Sequence, residues 1–309
     1  MRHIKPRRET AGINQITPGW ELLFRLILVV LCVVVVVPFL LVVSISFTSA
    51  KDIVYEGYRF FPKEWTLDAY DAIARMAASV GRSYLMTIFY TVVTTFLSLF
   101  IMSMLAFVLA RKDFRHRRLI SFLIYFTTLF SGGMVPSYVL NTRYLHLNDT
   151  IWIFILPFLV SAFDVIILRT FIQTTIPDSL FESAKLDGAN DFQIYWHFVL
   201  PLSKAGLATV GLFKVVERWN DWFTGILYIE NPKLVPIMTL LQKIQNSIEY
   251  LKTNSELASS VEGMALLKSL PSESCRMAIS VLSVLPLLIM YPFFQKYFVK
   301  GLTLGSVKG

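Results

Sequence analysis

A chain of 309 residues has length for about two soluble domains. Yet 55% hydrophobic against 16% charged residues and a mean hydropathy of +0.59 leave too little polar surface for that, since soluble domains carry about 25% charged residues. The figures exclude a disordered chain, a collagen-like repeat and a disulfide scaffold, and they point to an all-α, polytopic membrane protein. The net charge of +8 would suggest nucleic acid in a soluble protein; here the basic residues are read as cytoplasmic anchors. Cys32 and Cys275 form no CxxC pair and are read as packing residues.

A spanning helix needs about 20 mostly apolar residues. After an N-terminal segment (1–22), six stretches qualify: 22–47, 83–110, 119–140, 151–172, 205–228 and 276–298. The third is interrupted by Gly132, Gly133 and Pro136. Six spans put both termini on one side, and basic residues choose it. The short loop after the second span carries Arg111, Lys112, Arg115, Arg117 and Arg118, so this side, with both termini, is expected to be cytoplasmic. Beside two spanning helices this cluster is an anchor rather than a nucleic-acid patch. Two long outer loops result, at 48–82 and 229–275. The first holds an aromatic cluster suited to the lipid interface, the second polar residues that could meet an outside partner.

Catalytic patterns are missing. Gly206 and Gly211 have the glycine spacing of a phosphate loop, but Leu212 and Phe213 stand where Lys and Ser/Thr belong. There is no GxGxxG, HExxH or GxSxG. His3, His116, His146 and His197 fall in different segments and make no metal set. The expectation is a non-enzymatic chain with no catalytic residue, metal or cofactor of its own. An ion-coupled carrier is the alternative class. It would keep ionisable groups deep in the bilayer, and only Asp164 and Lys214 fall centrally, with Glu217, Arg218 and Asp221 further out in the fifth span.

The segment between spans four and five, 177–201, is not an ordinary connector. Asp178 or Ser179 can cap a helix starting near Leu180, with Leu180, Ala184 and Leu186 on one side. Gly188 can end it in a left-handed turn, and Asn190 or Asp191 can cap a second short helix closing before Pro201. A helix–turn–helix on the inner membrane surface is expected.

Glu182, Ala184, Asp187, Gly188, Ala189, Leu200 and Pro201 fall where the EAA loop of bacterial ABC-importer permeases has its pattern, with Ser183 in place of an alanine. The chain resembles that family over residues 82–298. Trp219-Asn220-Asp221-Trp222 resembles the WND element of carbohydrate permeases. Tyr297 to Gly309 resembles the tail of the smaller, maltose-type subunit, and Phe130 to Pro136 a signature of the Lpl subgroup, associated with oligosaccharides and glycans.

The resemblance implies a type I importer fold and a multi-pass cell-membrane permease for a carbohydrate. It implies a second, homologous permease, two ATPase subunits carrying ATP and Mg, and an extracellular or periplasmic sugar-binding protein. Glu182, Ser183, Ala184, Asp187, Gly188, Phe192 and Trp196 would couple to the ATPases; Phe192 and Trp196 suit the lipid interface equally. The tail 299–309, through Lys300, Gly301, Gly305 and Lys308, would reach between the ATPases, having little reason to fold alone. Trp219, Asn220, Asp221, Trp222 and Asp164 would line the sugar path; a polar packing cluster is the competing reading.

Overall fold

The computed structural model describes residues 18–254 and 271–306, so most of the N-terminal segment 1–22 and Lys308 lie outside it. In chain order the helices are α1 (Pro18–Ser46), α2 (Ala50–Glu56), α3 (Asp68–Arg75), α4 (Ala77–Ala110), α5 (Arg117–Leu129), α6 (Met134–Val139), α7 (Ala162–Thr175), α8 (Asp178–Leu186), α9 (Asp191–Ile194), α10 (Leu200–Leu202), α11 (Lys204–Trp219), α12 (Phe223–Tyr228), α13 (Ile237–Thr253) and α14 (Glu273–Ser306). An isolated bridge between Thr48 and Trp65 is the extent of β pairing among the described residues.

Among the described residues three helices are long and apolar enough to cross a membrane: Gly19–Ser46, Ala77–Ala110 and Glu273–Gln295. The others are broken. The third expected span is not one rod. Arg117–Leu129 and Met134–Tyr144 meet at 114°, because Gly133 adopts φ +84°, a conformation that a Cβ disfavours. The fourth bends by 47° between Ile151–Phe158 and Ala162–Thr175, just beyond Pro157. A 76° bend between Asp191–Leu202 and Lys204–Trp219 separates the 177–202 segment from the fifth span. That span is itself interrupted. The 16 residues of α11 reach roughly 24 Å, short of a core about 30 Å thick, and α12 supplies the remainder after a break at Asn220–Trp222.

Backbone freed by such breaks needs partners, because lipid offers none. Buried hydroxyls of α4 supply them. Thr94 Oγ1 donates to the Phe154 carbonyl at 3.2 Å and Ser98 Oγ to the Leu159 carbonyl at 2.8 Å. Thr87 Oγ1 accepts from the Ile237 amide at 2.9 Å. The last contact ties the start of α13 to α4, so the segment after the fifth span carries a docked helix. The phosphate-loop-spaced glycines pack helices: a Cβ on Gly206 would lie 2.8 Å from the Phe171 ring, and one on Gly211 3.1 Å from Leu99 Cδ1. α14 continues to Ser306 through Lys300, Gly301 and Gly305. As far as Ser306 the tail is therefore helical, its backbone continuing the ladder begun at Glu273.

Candidate functional site

The 177–202 segment forms two short helices joined at Gly188, which has φ +82°. The first begins two residues earlier than the sequence suggested, at Asp178, with Pro177 as its extended N-cap. Proline has no N–H to satisfy and its fixed φ favours this place. The turn is closed by Ala189 N–H donating to Ala184 O at 2.9 Å. Asn190 then caps the second helix reciprocally with Gln193: Gln193 N–H donates to Asn190 Oδ1 at 2.8 Å, and Asn190 N–H to Gln193 Oε1 at 2.9 Å. This helix runs through Pro201 to Leu202 instead of closing before it. The widened π turn at Tyr195–Val199 relieves the clash between a proline ring and the carbonyl four residues earlier.

One face of the segment is docked. Ala184, Ile194, Tyr195 and Val199 are buried in a cluster with Met102, Phe107, Leu168 and Ile172 of α4 and α7. The Tyr195 hydroxyl lies 2.7 Å from Ser103 Oγ, and Phe107 packs between Phe181 and Tyr195 at 6.0 and 5.9 Å. The other face is bare. Leu186 is 88% exposed, Phe192 61% and Trp196 48%, and the last two rings stack at 6.2 Å. Leu186 thus parts from Leu180 and Ala184, with which it was expected to share a side. Glu182, Ser183, Asp187 and Gly188 are exposed as well.

An ionic frame holds this unit to the loop after α4. Arg111 pairs with both Asp113 and Asp191, Lys185 with Asp113 at 2.7 Å, and Lys112 with Asp178 at 2.6 Å. The Arg111 hydrogen bond, then that of Lys185, holds the Asp113 carboxyl well below its usual range, and Asp113 raises Arg111 in turn. Sequence reading assigned these cations to membrane orientation alone. Asp113 is a near neighbour of Arg111, but the pairings of Arg111 with Asp191, Lys112 with Asp178 and Lys185 with Asp113 join positions distant in the chain, so no local pattern reveals them.

The second polar constellation lies in the fifth span. Lys214, 3% exposed, places Nζ 3.3 Å from Asp164 Oδ2 and 3.1 Å from Glu217 Oε2. Arg218 continues the chain to Glu217 at 2.8 Å and Asp221 at 3.0 Å, and its guanidinium sits 3.4 Å above the Phe158 ring. Asp221 also accepts the Thr224 amide at 3.1 Å, which restarts the helix as α12. Buried charges are tolerated because they are paired.

These contacts divide the residues expected along the sugar path. Trp219 is 3% exposed and donates from Nε1 to the Ser283 carbonyl at 2.9 Å; Asp164 and Asp221 belong to the ion-pair chain. All three are engaged by neighbouring groups, the arrangement of a polar packing cluster. Asn220 and Trp222 remain exposed, Asn220 bonding its own helix at the Val216 carbonyl. A cavity of about 640 Å³ lies nearby, walled by Ser131, Gly133, Ser137 and Asn141 at the third-span break, by Phe158, and by Tyr228 of α12. Asn141 Nδ2 donates to the Tyr228 hydroxyl at 3.2 Å, and Tyr138 stacks on Tyr228 at 5.5 Å. The glycine-bearing segment at 130–136, noted in the sequence only as a break and a subgroup signature, forms one wall; Asn141 and Tyr228 carried no signal.

A family profile described as "binding-protein-dependent transport system inner membrane component" matches residues 72–304. The chain belongs to that family. The permease is 38% identical over 290 residues to the polygalacturonan/rhamnogalacturonan transport system permease protein YtcP of Bacillus subtilis, covering 94% of this chain and 98% of that one. It is 36% identical to Protein LplC of the same organism, over 89% and 90% of the two chains. Among solved structures, a chain of a bacterial ABC transporter involved in import of the acidic polysaccharide alginate superposes with a TM-score of 0.75 at 31% identity, over 92% of this permease and 99% of that chain. Membership makes the chain a transport component of the cell membrane and removes support from the ion-coupled alternative.

Proposed function

We propose that the chain is the carbohydrate-translocating permease subunit of an ATP-binding-cassette importer for oligosaccharides or glycan fragments. The observation that carries this reading is the 177–202 unit: rigidly docked on α4 by one face, it offers Leu186, Phe192, Trp196 and the Glu182 carboxylate on the other. A rigid, two-helix knob with an apolar tip suits the cleft of a soluble ATPase, and movement of that ATPase would reach α4 through Tyr195. The unit therefore lies in the cytoplasm, and both termini with it. The extended α14 directs Lys300, Gly301 and Gly305 beyond the last span, where Lys308 would join them in contacting the ATPases.

A second, homologous permease completes the pathway, two ATPases bind ATP and Mg, and an external binding protein delivers the sugar. This chain binds no cofactor and catalyses nothing. The cavity at Asn141 and Tyr228 is the candidate sugar contact, since aromatic faces and hydrogen bonders among apolar walls suit ring faces and hydroxyls. Asn220 and Trp222 would extend it.

The test is reconstitution of the chain with its partner permease, ATPase and binding protein in vesicles. Oligogalacturonides or related glycan fragments should stimulate ATP hydrolysis and enter the vesicles. Hydrolysis and uptake that ignore every carbohydrate tried, with a properly assembled complex, would overturn the assignment.

A further inference from the structure

A second cavity, of about 950 Å³, opens between the α4–α5 turn and α7, away from the sugar-contact candidate. Its walls carry Lys112, Arg115, Arg117, Arg118 and Arg169, with the hydroxyls of Ser121 and Tyr125. Asp113 is the acid on this wall, and it is already engaged by Arg111 and Lys185. Lys112 is likewise committed to Asp178. Among the described residues Arg115, Arg117 and Arg118 have no ion pair, and Arg169 donates only to the Tyr125 hydroxyl, at 3.2 Å. Arg169 Nε and Ser121 Oγ are buried atoms with no hydrogen-bond partner. The cavity thus has uncompensated positive charge and unfilled donors, an arrangement that calls for an anion.

Its surroundings select which anion. The pocket lies where α4 ends and α5 begins, at the end of a spanning helix. From it runs an apolar stripe on α5: Leu119, Phe122, Phe126 and Leu129 are 58%, 61%, 43% and 76% exposed, and Phe122 itself lines the pocket. A free anion would use the cations and leave the stripe bare; a phospholipid uses both. Basic pockets between helices on the cytoplasmic side suit acidic lipid headgroups.

We propose that this pocket holds the phosphodiester headgroup of an anionic phospholipid, with an acyl chain along α5. Arg117, Arg118 and Arg169 grip the phosphate, and Ser121 and Tyr125 take part through their hydroxyls. Placing the lipid in the inner leaflet rests on the orientation given under Proposed function; the binding itself does not.

The test uses the assembled importer in nanodiscs containing phosphatidylglycerol and phosphatidylcholine, without sugar or ATP, followed by native mass spectrometry. Wild type should keep phosphatidylglycerol preferentially, and the triple variant R117A/R118A/R169A should retain it at least about tenfold more weakly. The triple Arg→Lys variant, which keeps the charges, should recover most of the preference and separates site loss from misfolding. Equal retention by the wild-type and alanine complexes would overturn the proposal. So would equal binding of the zwitterionic lipid, or displacement by inorganic phosphate at concentrations comparable to the lipid, which would mark a free-anion site. Since transport is not measured, failure here leaves the import function untouched.

Discussion

Tyr195, in the middle of the 177–202 unit, places its hydroxyl 2.7 Å from Ser103 Oγ of α4. Both side chains are buried, so this hydrogen bond and the Phe107 contacts beside it form a stiff joint between the surface unit and the membrane core. Removing it by Tyr195→Phe leaves Ser103 without that partner and should destabilise the joint by about 1 kcal/mol. Reconstituted complexes should retain ATP hydrolysis while uptake per ATP falls severalfold. An unchanged ratio of uptake to hydrolysis would mean that force does not pass through this joint.

Gly188 at φ +82° has open space where a Cβ would stand, so the cost of a side chain is backbone strain alone. Gly188→Val should cost about 1–2 kcal/mol and turn the second helix away from the first. Glu182→Ala, at an exposed position, should leave the chain's stability unaltered and weaken ATPase association. Co-purification yield and sugar-stimulated hydrolysis are the measurements; full association in both variants would remove the docking role from this unit.

Lys214 and Asp164 should be strongly interdependent. Lys214→Met strands the Asp164 carboxylate at a nearly inaccessible site, with an expected loss of roughly 3–5 kcal/mol. Lys214→Met combined with Asp164→Asn should recover most of it, because both charges leave together. Thermal melting of the purified permease in detergent reads the interaction; strictly additive losses would show that the pair is not a unit.

Ser98→Ala removes the donor to the Leu159 carbonyl at the break in the fourth span. Interhelical hydrogen bonds in membranes contribute on the order of 0.6 kcal/mol, rising to nearly 2. A melting-temperature decrease is expected here, and none for Thr127→Ala, whose hydroxyl bonds only its own helix and is exposed. Equal shifts would argue against bridging as the source of stability.

Acid should loosen the 177–202 unit. Asp113 has its carboxyl held below its usual range by the hydrogen bonds of Arg111 and Lys185. Its folded-state value is depressed, so its contribution is present above the ordinary carboxylate pKa and fades as pH falls through the lower, folded value. Because Asp113 is half exposed, solvent screening keeps the effect modest. Amide exchange at 178–199 should accelerate below about pH 4, and Asp113→Asn should show the faster exchange already at neutral pH. A variant indistinguishable from wild type at neutral pH would show that the ionic frame is incidental.

Composition and hydropathy by themselves determined that the chain is helical and lies in a membrane, because the cost of exposing so much apolar surface leaves no other solvent for it. The helix–turn–helix at 177–202 was legible too: a left-handed glycine and an Asn cap are local chemistry, and local chemistry fixes local geometry. Only the tertiary structure decided which residues meet. Trp219 and Asp164 resemble sugar-binding groups in sequence, yet packing consumes the indole on Ser283 and the carboxylate on Lys214. The cavity between Asn141 and Tyr228 and the pairing of Arg111 with Asp191 depend on segments remote in the chain. Such contacts leave no periodic trace, because each is a single pairing whose meaning arises when two helices come within hydrogen-bonding distance.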